Sequence, residues 1–266
     1  RVYVQADAVW VEDVGEVGEA TFQALRKFLL YGTKAKMENC GESWGLLLVS
    51  GPKSAEAVAA AFGIEVRALQ LLHTLPATIG GQQGLILRTE ETGEQDFEVL
   101  LPADAVPAAW NQLMTSGVPF GIKPVGAQAR ELLRIEAGLP KAGPDLNEEI
   151  VPPEANLEGK AFSLSKGCYP GQEVVARMDT YGNVRRHLVG LIIQDKTVPP
   201  AGSKLFSGDR EVGWVSSAVF SPQRNAALAF GFPLRDFSAP DTTLTVEVAG
   251  TRHQATVHAL PFQKHS

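Results

Sequence analysis

The stretch from Pro140 to Asn183 constrains this chain more than any other. It is rich in Pro, Gly, Asn and Asp and carries little helical or strand periodicity. A loop this long inside a compact domain is uncommon unless it is functional. Within it lies Lys166-Gly167-Cys168-Tyr169-Pro170-Gly171-Gln172-Glu173, which places one of the two cysteines among glycines, a proline and a polar pair. Gly167, Pro170 and Gly171 force turn geometry, so this octapeptide is neither an ordinary helix nor a central strand. Two readings stand. In one the ordered loop presents Cys168 for binding or chemistry; in the other Cys168 is a small buried hydrophobe in a tight turn. Gln172 and Glu173 read equally as ligand contacts or as the cap of a helix over Val174 to Arg177.

On the N-terminal side of this stretch the chain is periodic. Arg1 to Ala6 alternates as a strand, and Val9-Trp10-Val11 reads as a second. Glu19 to Tyr31 reads as an amphipathic helix, Gly45 to Val49 as a buried strand, and a further helix runs through Ala61 to a C-cap at Gly63. Leu85 to Arg88 and Phe97 to Leu101 predict a hairpin, and a helix starting at Asp104 ends at Gly117. Strand, helix, two strands, helix is the rhythm of an α+β split βαβ unit. Beyond Asn183 come six short strands at Val184–Ile193, Lys204–Phe206, Val212–Val219, Ala226–Phe232, Leu244–Val248 and Ala255–Leu260, which suggest a small barrel.

These readings divide the chain into four parts. Residues 1–44 are the remainder of a first α+β domain, and 45–139 a second. Residues 140–183 form a site-building loop that packs back on the first domain, and 184–266 the C-terminal β-barrel. The chain opens without a methionine and directly in a strand, so further residues are expected ahead of Arg1.

Composition excludes some functions. With 266 residues, 44 % hydrophobic and 20 % charged, the chain is that of an ordinary globular protein. No apolar run reaches the length of a membrane span and no signal-peptide pattern opens it. The net charge of −6 and the lack of aromatics interleaved with Lys and Arg speak against direct nucleic-acid binding. Cys40 and Cys168 fit free thiols in a reducing cytoplasm. Two thiolates do not hold a conventional iron–sulfur cluster. His73, His187, His253, His258 and His265 lack zinc-ligand spacing, so no metal is expected.

One carboxylate stands on the wrong face. At helical spacing Val125, Ala129, Leu132 and Leu133 form an apolar stripe, and Glu136 falls within it, with Arg130 and Arg134 opposite. A glutamate on a core-facing stripe is costly unless paired. Either its side chain curls back into water, or it accepts two adjacent N–H donors from a flat ligand such as an aminopyrimidine edge. Gly138 would then let the ligand ring approach. Lys166, Arg177, Arg185 and Arg186 outnumber Glu173 and Asp179 between residues 166 and 187. That excess suits an anionic ligand or, equally, a strand edge guarded against sheet pairing.

Lys166 to Glu173 resembles the KGC-aromatic-x-GQE motif of the YgfZ family, folate-binding proteins linked to iron–sulfur cluster maintenance. Arg134 to Pro140, Asp145-Leu146 and Pro152-Pro153-Glu154 resemble a segment that YgfZ shares with the glycine-cleavage T-protein. Gly213 to Ser217 and Ser221-Pro222 resemble barrel positions of both. The resemblance implies ferredoxin-like α+β domains and a C-terminal barrel around a tetrahydrofolate site. It implies Glu136 as pterin ligand and Cys168 as the motif thiol; beside that, Lys166, Tyr169, Arg177 and Arg185 are expected as further folate contacts, the cations serving its anionic tail. The proposed work of that family is assembly or repair of iron–sulfur client enzymes, one of them tRNA-thiolating. The T-protein's catalytic aspartate would fall near Ala20, where Gly18-Glu19-Ala20-Thr21 offers none. Three hypotheses follow: a tetrahydrofolate-dependent accessory factor for iron–sulfur proteins, a tetrahydrofolate-dependent aminomethyltransferase, and a sensor or scaffold without chemistry at Cys168.

Overall fold

A computed structural model describes residues 1–13, 17–181 and 184–263, with the side chains of 179–181 set aside. Asp179, counted above among the charges, and His265 therefore fall outside the described side chains. The chain forms two compact units, Arg1–Val125 and Gly126–Ser266. The division leaves the helix bearing Glu136 in the same unit as the barrel.

The first unit is built on an antiparallel sheet of β3 (Trp44–Ser50), β4 (Thr74–Ile79), β5 (Gln82–Thr89) and β6 (Asp96–Pro102), ordered β3-β6-β5-β4. Helices α2 (Ser54–Phe62) and α3 (Val106–Ser116) cover one face, burying Val58, Ile86, Phe97, Val99 and Leu101 completely. The other face buries Leu85, Leu87 and Leu100 under Tyr3 and Trp10 from the ribbon β1 (Val2–Val4) and β2 (Val9–Val11). Gly63 is left-handed at the end of α2, at φ 69°, where the sequence puts a C-cap. Sequence reading missed β4, an edge strand interrupted by Pro76 that shows only weak alternation. Helix α1 is shorter than expected, Gly18–Arg26, and buries no residue.

In the second unit, α4 (Ala127–Glu136) packs on a closed barrel and α5 (Gln172–Tyr181) packs on the short helix Pro152–Ala155. The barrel strands are β7 (Val189–Ile193), β8 (Lys204–Ser207), β9 (Arg210–Ser221), β10 (Ala226–Gly231), β11 (Thr243–Val248) and β12 (Thr251–His258), in the order β10-β7-β12-β11-β8-β9. Closure removes free sheet edges. Leu191, Ile193, Leu205, Val215 and Val246 fill the interior. Phe230, Phe232, Leu188 and Phe262 make a second core outside it, and Ile135 of α4 docks there fully buried.

The Pro- and Gly-rich stretch is not structureless; it is sewn onto this unit at two points. Asp145, wholly buried, accepts from Arg134 Nη1 at 2.8 Å and the Lys141 backbone N–H at 2.9 Å through Oδ2. Its Oδ1 accepts from the Ser216 and Ser217 hydroxyls at 2.6 and 2.7 Å. Neighbouring strand residues normally face opposite ways. Here Gly231 pairs with Val215 and Phe230 with Ser217, so Ser216 is the extra residue of a β-bulge. The bulge turns both hydroxyls toward one carboxylate. Farther on, the Leu188 N–H donates to the Glu154 carbonyl at 2.7 Å, and Asn156 Nδ2 donates to the Leu188 carbonyl at 2.8 Å.

Removing one partner of such a buried ion pair leaves the other charge stranded. Asp145→Ala is therefore expected to destabilise the second unit by about 3–5 kcal/mol. Urea unfolding followed through Trp214, the one tryptophan of that unit, measures it.

Candidate functional site

Helix α4 ends in its buried turn. Arg134, Ile135 and Glu136 are buried consecutively, whereas Val125 and Ala129 are exposed. The lengthwise stripe expected from the sequence is thus replaced by a docked C-terminal turn. Arg134 does not point away from the core. Its guanidinium forks onto Glu131 at 3.0 and 2.5 Å, reaches Asp145, and donates to the Leu139 carbonyl at 2.6 Å. Burial alone would lower the Arg134 pKa; the hydrogen bond to Glu131 and the charge of Asp145 outweigh it and raise it. The same hydrogen bond holds the Glu131 carboxyl below its ordinary value.

Two residues after Arg134, Glu136 is 5 % exposed. Its Oε1 accepts from the Ser221 hydroxyl at 2.7 Å, and its Oε2 accepts nothing from any described residue. The expectation of a carboxylate withdrawn from water is met by the geometry. Ser221 already engages one of the two oxygens, which as a carboxylate oxygen keeps a lone pair for a further donor. Gly138, left-handed at φ 73°, leaves no space for a ligand ring. A Cβ there would lie 3.1 Å from both Leu260 Cβ and Pro261 Cα, so the chain's own C-terminal segment fills that approach.

The octapeptide forms an exposed loop running into α5. Cys168 is exposed, as are Lys166, Arg177 and Arg185. The reading of Cys168 as a buried hydrophobe therefore fails. The Lys166 ammonium sits 4.8 Å from the Tyr169 ring centroid, and the Tyr169 hydroxyl is buried without a hydrogen-bond partner. Gln172 and Glu173 occupy the first turn of α5, where a negative charge complements the helix dipole. Arg186 stacks on Trp214, 4.8 Å from the ring centroid, and so belongs to the barrel wall. Among the described residues no hydrogen bond or ion pair joins Glu136 to Cys168, Lys166, Tyr169, Arg177 or Arg185.

Sequence reading missed a cavity of about 310 Å³ lined by Pro153, Asn156, Glu158, Phe162, Val184 and His187. Burial lowers the His187 pKa below its ordinary value; the like charge of Arg235 adds to this and Glu154 opposes it. The only sequence signal was a histidine beside two arginines, noticed for its failure to ligate metal. No group of three or more potential metal ligands occurs among the described residues.

A histidine whose folded pKa is depressed lets the unfolded chain take up the proton first. Stability is then full above the ordinary value of 6.5 and is lost as pH falls toward the folded value. His187→Phe is expected to flatten this acid loss, measured as the drop in urea midpoint between about pH 7.5 and about pH 5.5.

Comparison with known proteins agrees with this architecture. Residues 3–164 match the GCVT N-terminal domain, and residues 186–264 match the glycine cleavage T-protein C-terminal barrel domain. An aminomethyltransferase of Saccharopolyspora erythraea is 33 % identical over 234 residues, covering 87 % of this chain and 63 % of the relative. One from Prosthecochloris aestuarii is 32 % identical over 246 residues, covering 92 % and 67 %. The chain thus spans about two thirds of the length of these relatives. The solved glycine cleavage system aminomethyltransferase T of Bartonella henselae superposes with a TM-score of 0.77 at 26 % identity, over 93 % of this chain and 66 % of that one. With matching α+β and barrel domains in the same order, the chain belongs to the glycine cleavage T-protein family.

Proposed function

We propose that this chain binds tetrahydrofolate, with Glu136 as the acceptor for the pterin, and acts in the transfer of folate-borne one-carbon units. The observation that carries this reading is the Glu136 carboxylate, 5 % exposed with one oxygen held by Ser221 and the other lacking a donor among the described residues. An aminopyrimidine edge supplies N–H groups of the kind such an oxygen needs. The relatives named aminomethyltransferase favour transfer chemistry over passive storage. Folate, when bound, carries the one-carbon unit on the pterin N5, the bridging amine N10, or both. The residues of this chain orient it: Glu136 takes the pterin edge, and the exposed cations Lys166, Arg177 and Arg185 suit an anionic tail, with Tyr169 as a stacking surface.

A second reading is favoured by one feature, the octapeptide Lys166 to Glu173 with its exposed Cys168. It makes the protein a YgfZ-type accessory factor that uses folate in the assembly or repair of iron–sulfur client proteins, and touches tRNA modification only through a client. Free Cys40 and Cys168 suit the cytoplasm for either role. No helix among the described residues is long and apolar enough to cross a membrane.

Calorimetric titration of tetrahydrofolate is expected to show binding, weakened by at least ~1.5 kcal/mol in Glu136→Ala, as when a charged hydrogen-bonding partner is lost. Equal affinities would remove Glu136 from the site. Robust turnover of an aminomethylated lipoyl carrier selects the transferase. Its absence, with failure of Cys168→Ser to restore iron–sulfur enzymes in a deletion strain, selects the accessory factor.

A further inference from the structure

The hydrogen bonds around Glu136 close into a ring. Ser221, wholly buried at the end of β9, donates its hydroxyl to Glu136 Oε1 at 2.7 Å. The Ser221 Oγ in turn accepts the Arg224 backbone N–H at 3.3 Å. Arg224 Nη2 donates to the Phe262 carbonyl at 2.5 Å. The Phe262 N–H returns to the Glu136 carbonyl at 2.9 Å, with the Gln263 N–H beside it at 3.2 Å. Helix end, β9–β10 turn and C-terminal segment are thereby locked together around one carboxylate.

The ring fixes the direction of the serine proton. A hydroxyl has a single proton and two lone pairs. With the Arg224 N–H aimed at a lone pair, the proton is left for Glu136. A donor committed to a carboxylate favours its anionic form. Because Ser221 engages Oε1 only, Oε2 is the oxygen left for an incoming N–H.

We infer that Ser221 is a positioning residue, acting through Glu136 to hold that carboxylate with Oε2 presented to a planar N–H-donating ligand. This rests on the reading of Glu136 as the folate acceptor and adds the residue that orients it. The consequence concerns selectivity. A ligand offering a single N–H finds Oε2 ready, whereas a bidentate edge must share Oε1 with Ser221.

The test has one arm without folate. In protein carrying carboxyl-labelled glutamate, the Glu136 resonance is identified by its loss in Glu136→Gln and titrated by NMR. The Ser221→Ala variant is expected to move its midpoint to higher pH, and Ser221→Thr, which keeps the hydroxyl, to leave it at the native position. The second arm titrates tetrahydrofolate: Ser221→Ala is expected to weaken binding about tenfold, as for the loss of one hydrogen bond to a charged group. That weakening should vanish in the Glu136→Gln background. An unmoved midpoint in a folded Ser221→Ala protein overturns the inference, whatever happens to folate. Should Ser221→Ala not fold, a Ser221→Thr titration shifted from the native one overturns it as well. A tenfold loss that persists in the Glu136→Gln background also overturns it, since Ser221 would then act independently of Glu136. A moved midpoint in a protein that binds no tetrahydrofolate supports the coupling and overturns the folate reading alone.

Discussion

The Asp145 carboxylate governs the second unit. Buried alone, an ionised carboxylate is among the most costly groups to withdraw from water. Here four donors converge on its two oxygens, from a helix, its own loop and two adjacent residues of a barrel strand. The group therefore specifies an arrangement more than it contributes net stability. The docking of α4 and residues 139–146 against β9 supplies all four donors. Arg134, held there, sets the last turn of α4 and so the place of Glu136 one residue beyond Ile135.

Strand β9 then serves two acids from one face. Ser216 and Ser217 hold Asp145, and Ser221, four residues on and hence on the same side as Ser217, holds Glu136. One carboxylate is saturated and structural. The other keeps an oxygen without a donor. That difference separates an anchor from a binding group, and it is a difference of hydrogen-bond supply, since both residues are buried.

Much of the fold was legible because period carries it. The barrel strands, the hairpin of β5 and β6 and the cap at Gly63 follow from alternation and turn residues, which act locally. What period misses is pairing at a distance. Arg134 reads as a solvent-facing cation on a helical wheel, and nothing nearby announces Asp145, eleven residues on, as its partner. The same blindness hid Ser221 behind Glu136 and let Gly138 pass for a ligand's approach when Leu260 and Pro261 occupy it. Glu136 itself was legible because a carboxylate at a core position conflicts with its neighbours, and conflicts of that kind mark places where something else compensates. The arginines around Cys168 gave no such conflict, so an exposed Cys168 and a buried one read alike in the sequence.

The extra residue at Ser216 puts residues 213–215 of β9 out of phase with residues 217–221. Across it odd and even positions exchange sides, with Val215 turned to the barrel interior before it and Ala218 after it. A deletion of this one residue would restore a regular ladder, a change that looks harmless to backbone pairing. It would also send every side chain on one flank to the opposite side, turning hydroxyls into the apolar lumen and hydrocarbon toward the two acids. Drift along this strand can therefore exchange side chains freely but cannot change its length.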